Sequence, residues 1–172
     1  PVLMDVSVLG DPPIKVDYSK HDVAEHANMT NKEIISLGNE NDAMIASAKG
    51  AKSLTLKLCK EKKIDGAIAL GGTMGTDLAL DVFSELPLGF PKCLLSTVAG
   101  SPLIEPQRLP SDIITVLWAG GLYGLNTICK SSLSQACGAV VGATLAKHEI
   151  PKPKPIVAIT SLGTSALKYI VT

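Results

Sequence analysis

The chain has 172 residues, about one domain's worth, with 46% hydrophobic and 19% charged residues, a balance that permits a buried core and excludes a disordered chain. Aromatic residues make up only 3%, so the core is aliphatic and offers no platform for stacking successive bases. Sixteen basic residues balance sixteen acidic ones and Arg108 is the single arginine, which excludes nucleic-acid binding by phosphate neutralisation.

Val2 to Gly10 reads as a strand closed by a glycine turn, with Asp5 a polar residue in need of a partner. Residues 11–42 are polar and read as a long connection carrying short helices at 22–28 and 31–36, a length expected of a functional or interface segment. From 41 to 63 the spacing of Ile45, Ala48, Ala51, Leu54 and Leu58 predicts an amphipathic helix. The run 66–70 is too short for a helix and reads as a buried parallel strand. A turn at 71–76 follows, then a helix that buries Leu78, Ala79, Val82, Phe83 and Leu86, exposes Asp77, Asp81 and Glu85, and stops at Pro87.

Strands are predicted again at 92–98 and 113–118, separated by a proline-rich loop over 99–110 that leads into Ser111-Asp112, where Asp112 caps or enters the strand. A glycine-bearing loop at 119–126 leads into a helix over 129–148, rich in Ala and Gly on a face suited to close packing against the sheet, another helix or a second subunit. Pro151-Lys152-Pro153-Lys154-Pro155 is a stiff linker, followed by a fresh strand at 156–160 and the opening of a helix. The chain reads as a fragment with material absent on both sides.

Alternating strands and helices define an α/β fold, with a mostly parallel, Rossmann-like sheet flanked by helices, as the N-terminal domain of a two-domain protein. Residues 1–150 form that domain, and 151–172 hold the linker and the beginning of a second α/β domain. The strands at 2–8, 66–70, 92–98 and 113–118 are expected in one parallel sheet. Cys59, Cys93, Cys129 and Cys137 lack metal or redox spacing and read as reduced core thiols. His21, His26 and His148 show no ligand spacing and read as surface residues. No apolar run reaches the length of a membrane span and no charged leader opens the sequence, so the expected location is cytoplasmic, without a membrane partner.

Ligands of open α/β sheets bind beyond the carboxyl ends of the strands. Four segments rich in Gly, Ser and Thr reach that edge, at 71–76, 96–101, 120–126 and 161–165. In the first, Gly71, Gly72 and Gly75 allow close backbone approach and Thr73 and Thr76 supply hydroxyls at the start of a helix, whose free N–H groups and dipole favour an anion. Its spacing matches neither a P-loop nor Gly-x-Gly-x-x-Gly, and a tight strand–helix turn without a ligand is the alternative. Ser96 and Thr97 are expected to face the same crevice, with Gly163 and Thr164 approaching from the second domain. No nucleophile elbow or metal-ligand set occurs, so the catalytic residues and even the presence of a reaction are left open.

Gly71-Gly72-Thr73-Met74-Gly75-Thr76, Leu86-Pro87-Leu88-Gly89-Phe90-Pro91-Lys92, Ser96-Thr97-Val98-Ala99, Ser111-Asp112-Ile113 and Gly124-Leu125-Asn126 follow one another at compatible spacing. Together, and with Asp5 to Gly10, they resemble the ATP-binding domain family typified by the plant tobamovirus (tomato mosaic virus) resistance protein, which has bacterial members long uncharacterised. The resemblance covers most of residues 2–165. It implies two α/β domains, ATP with or without Mg in or near their cleft, and a homodimer. It also implies that a first strand and a Gly-Thr-x-Asp-Thr-Lys-type turn precede residue 1. The segment 100–121 departs from the family pattern. The function expected on these grounds is nucleotide binding, with an enzyme acting on a phosphorylated or carboxylated metabolite, or a protein-interaction module, as alternatives.

Overall fold

The computed structural model describes residues 1–118 and 124–146. Three short or medium helices come first, each started by a side chain that accepts from the first-turn amides. Ser19 and Asp22 form a reciprocal capping box on α1 (Lys20–His26), and Thr30 and Glu33 form another on α2 (Asn31–Ser36). Asn39 caps α3 (Glu40–Lys60) by accepting the Asp42 N–H at 2.8 Å.

On α3, Ala48, Ala51, Leu54 and Leu58 are buried as the spacing requires, but Ile45 is 51% exposed and Met44 and Ser47 take the inward positions. The helix is turned by its crossing with α1. A Cβ on Gly50 would sit 1.9 Å from the Val23 carbonyl oxygen, so only glycine lets the two backbones meet there.

The sheet comprises β1 (Ala67–Gly71), β2 (Lys92–Ser96) and β3 (Ile113–Leu117), in spatial order β1-β2-β3 and parallel throughout. Ala69 stands beside Leu94, and Leu94 beside Thr115. Between β1 and β2 the chain crosses over through α4 (Thr73–Phe83), and α5 (Thr127–Leu145) follows β3 after an intervening segment.

Both faces of β2 are covered and all five of its residues are buried. Leu94 joins Val23, Ala51, Leu54, Ala79 and Phe83 from the helices on one side, while Cys93 and Leu95 pack with Trp118, Cys129 and Ala136 on the other. Cys59 is half-buried and Cys137 is exposed, so the expectation of four core thiols holds only for Cys93 and Cys129. On α5, a Cβ on Gly138 or Gly142 would meet nothing within 4 Å, so these two glycines do not serve a close approach among the described residues.

Residues 2–8 were expected as a strand of the same sheet. They form a single parallel bridge, Met4 with Tyr18, and no ladder with β1. Other groups hold this segment. The Asp5 N–H donates to the Tyr18 carbonyl at 2.8 Å, the Leu3 N–H to the Asp17 carboxylate at 2.8 Å, and the Ser47 hydroxyl to the Val6 carbonyl at 2.9 Å. Asp5 itself accepts the Ser7 N–H at 2.9 Å. The expected linker and second-domain start at 151–172 lie outside the described residues.

Lys92 opens the central strand with its side chain only 1% exposed. Its ammonium donates to the Pro87 carbonyl at 3.0 Å and to Asp112 at 2.5 Å, and the same carboxylate oxygen accepts the Gly89 N–H at 2.7 Å. Gly89 holds a φ of 79°, so the carboxylate ties the left-handed turn before β2 to the residue before β3. Burial pushes the Asp112 carboxyl up, but the hydrogen bond and charge of Lys92 and the Gly89 N–H outweigh it and hold it below the usual carboxylate range.

Removing one partner of such a pair strands the other charge. Asp112→Ala should therefore cost about 3 kcal/mol in urea denaturation, and Lys92→Met, which removes the charge and keeps the stem, should cost less. A depressed carboxyl stabilises the fold above its unfolded pKa of about 3.9 and loses that contribution as pH falls through the folded value. Acid titration of the unfolding midpoint should show a decline below about pH 4 that is shallower in Asp112→Ala.

Candidate functional site

The carboxyl ends of β1 and β2 lie side by side, since Gly71 pairs with Ser96 in the parallel register. Beyond Gly71 the helix starts earlier than the turn chemistry predicts. Gly72 is the N-cap and Thr73, Met74, Gly75 and Thr76 already belong to α4, so what reads as a six-residue loop is a cap followed by the first helical turn.

Gly71 and Gly72 do not use the positive φ open to glycine, and Gly72 is extended at φ −75°, ψ −156°. Gly71 is needed for space. A Cβ there would stand 2.4 Å from the Gly75 carbonyl carbon and 2.4 Å from the Thr76 nitrogen, so the helix starts hard against the strand that feeds it. Gly75 is under less constraint, with the Leu70 carbonyl oxygen 3.4 Å from its would-be Cβ.

The two hydroxyls nearest the sheet are spent on the fold. The Thr76 and Ser96 hydroxyl oxygens lie 2.7 Å apart, both fully buried, and Ser96 Oγ also accepts the Val98 N–H at 3.1 Å. This bond pins the first turn of α4 to the end of the central strand. Thr97 is half-buried and its N–H donates to the Gly71 carbonyl at 3.0 Å, continuing the ladder by one step. Thr73 and Met74 are exposed. Among the expected site residues, then, Gly72, Thr73 and Gly75 offer a surface at the helix start, Thr97 borders it, and Gly71, Thr76 and Ser96 build the floor. Gly163 and Thr164 lie outside the described residues.

The cap distinguishes α4 from its neighbours. Ser19, Thr30, Asn39 and Asn126 cap α1, α2, α3 and α5 with side-chain oxygens, whereas Gly72 brings none. The partial positive charge at the start of α4 therefore meets no acceptor from its cap side chain.

Arg108 was not picked out as a site residue, and the structure gives it a role next to the candidate site. It stands in a 3-10 turn, Pro106–Arg108, at the far end of the loop that leaves β2. Its guanidinium pairs with Asp77 and with Asp81, the latter at 2.6 Å, and so staples that loop to the exposed side of α4. Asp77 and Asp81, expected on the exposed face of the helix, are thus half of a clamp. A two-pronged donor facing carboxylates four residues apart was the available signal. Among the described residues no group of three or more His, Cys, Asp or Glu side chains comes within metal-binding reach, and no helix is long and apolar enough to cross a membrane.

A parallel sheet with helices on both faces, and a helix start presented at its carboxyl edge, define a Rossmann-like α/β domain. Within that class the chain belongs to the uncharacterised protein family UPF0261, whose N-terminal domain matches residues 1–149. It is 54% identical to a UPF0261 protein of Brucella suis across 98% of this chain and 40% of the relative, and 29% identical to one of Clostridium tetani across 95% and 41%. The ToMV resistance protein Tm-1(GCR237) of Solanum lycopersicum is 33% identical across 61% of this chain and 15% of its own length. The chain thus spans about two-fifths of the length of the bacterial relatives.

The close approach at Gly71 gives a sharp expectation. Gly71→Ala should lower the unfolding midpoint, because its methyl would press on helix backbone and not on a yielding side chain, at a cost of about 1–3 kcal/mol. Gly75→Ala, with open contact, should cost less, and differential scanning calorimetry of the two variants checks the ranking.

Proposed function

We propose that this domain binds a nucleotide through its phosphates, with ATP the nucleotide implied by the family resemblance, and that the start of α4 is the phosphate-facing element. The observation that carries the reading is the Gly72 cap, which brings no side-chain acceptor to an eleven-residue helix that opens at the carboxyl edge of the sheet. The exposed Thr73 hydroxyl and the half-buried Gly72 and Gly75 leave room for an anion to approach the first-turn N–H groups. The donor set suits phosphate oxygens, which accept from main-chain N–H and hydroxyl groups without needing an arginine. The only arginine is held by Asp77 and Asp81. Homodimerisation belongs to the same reading and is supported by the outward Ile128 and Leu145 of α5; sedimentation at micromolar concentration checks it.

Thr73→Glu tests the site without damaging the fold. A carboxylate in the first turn favours the helix dipole, so thermal stability should hold or rise. The same charge repels a bound phosphate and removes a hydroxyl donor, so ATP and ADP affinity measured by calorimetry on the full-length protein should fall tenfold or more. Equal affinity in the variant would place the nucleotide elsewhere, and no binding to either protein would leave the helix start as a structural turn.

A further inference from the structure

We infer that Arg108 is a positioning residue for the anion site at the start of α4, acting through Asp77 by cancelling a negative charge that stands one helical turn beyond Thr73. The inference rests on the phosphate reading of that helix start and says what sets its affinity. Thr73, Asp77 and Asp81 are spaced four apart in α4 and therefore lie along one face of the helix. Thr73 is exposed at the start of that face, and the Asp77 side chain next along it is 41% exposed. A helix start offers an anion the equivalent of about half an elementary charge, and that attraction falls off within the first turn. A carboxylate about 5.4 Å further along carries a full charge of the opposing sign. Left alone, Asp77 would work against a phosphate at Thr73.

The chain departs from its own pattern to bring an arginine there. Between β1 and β2 the parallel crossover is a helix, α4, whereas the link from β2 to β3, residues 97–112, holds only the 3-10 turn Pro106–Arg108. A parallel crossover is usually helical, and an irregular connection of this length is usually functional. Its main-chain hydrogen bonds from Ser101 to Leu109 close within the loop, from the Ser101 N–H to Val98, Ile104 to Ser101, Arg108 to Glu105 and Leu109 to Pro106. Side chains seat it on the domain. Ile104 packs against the core shared by α3 and α4, and Arg108 meets three oxygen groups of α4, which are the Asp77 and Asp81 carboxylates and the Asp77 carbonyl at 3.4 Å. The two-pronged guanidinium suits carboxylates on successive turns, a match that a single ammonium lacks.

The charges of this cluster set the sign of every variant. The clamp sets one positive charge against two negative ones. Without the arginine both carboxylates are unopposed. Without the Asp77 charge, Arg108 and Asp81 are matched. With neither, Asp81 alone remains and the net charge equals that of the original clamp. A loop that merely needed seating would follow a different rule, because Asp77→Asn and Arg108→Gln both loosen the clamp and would then act in the same direction.

The test is calorimetric titration of the full-length protein with ATP, and with adenosine as the ligand that lacks phosphate charge. Arg108→Gln should weaken ATP binding about fivefold or more, and Asp77→Asn should strengthen it about threefold. Asp81→Asn, one turn further from Thr73, should strengthen it less than Asp77→Asn. The double variant Arg108→Gln/Asp77→Asn should return to within about twofold of the unaltered protein, and adenosine affinity should be the same in all of them. Weaker ATP binding in Asp77→Asn, no recovery in the double variant, or an equal loss for adenosine would each overturn the inference in favour of a seating role. Thermal denaturation reads whether each variant stays folded, and if Arg108→Gln does not, the direction of the Asp77→Asn effect decides alone. ATP binding that is unchanged across the variants overturns this inference and leaves the phosphate reading standing, whereas no ATP binding to the unaltered protein overturns both.

Discussion

Strand β2 has water on neither face, and that condition sets the chemistry at both of its ends. A buried polar group must find its partners within the protein. At the entry, Lys92 meets Asp112 and the Pro87 carbonyl; at the exit, Ser96 meets Thr76 and Val98. The first set ties the turn before β2 to the start of β3, and the second ties the start of α4 to the end of β2. Two polar knots at opposite ends of one apolar strand therefore fix where β3 and α4 begin. The carboxyl edge, where a Rossmann-like domain places its ligand, is thus anchored through Ser96 at the exit of β2.

Much of this was legible from residue order. The alternation of short apolar runs with helical spacing gave the three parallel strands and the flanking helices. Residues 2–8 misled because an apolar run carries strand propensity but no pairing partner. The partner visible here is Tyr18, at one bridge. The 71–76 segment misled in the opposite direction: Gly, Thr and Gly look like a loop, yet the close contact at Gly71 lets the helix begin at once. Ile45 fell on the wrong side of α3 because the crossing at Gly50, a contact between elements 27 residues apart, decides how that helix is turned.

Hydroxyls were the least legible part of the candidate site. Thr73 and Thr76 are equivalent by residue type, but three positions along a helix separate an exposed group from one sealed against Ser96. A glycine- and threonine-rich motif therefore mixes two tasks. Gly71, Thr76 and Ser96 join strand to helix, and Gly72, Thr73 and Gly75 leave the helix start accessible. Under the proposed function, only the second group of residues would meet a ligand.

The Arg108 clamp differs in kind from the pair at Lys92. Its guanidinium and both carboxylates are a third or more exposed, whereas Lys92 is sealed. Charges in contact with water are screened over about 8 Å at physiological ionic strength, and buried ones much less. Salt consequently acts on the two selectively: it slackens the attachment of the loop after β2 to α4 while leaving the strand beneath it anchored. The cover beside the helix start is held by screenable charge and the floor by burial, so a change in ionic strength loosens the one without disturbing the other.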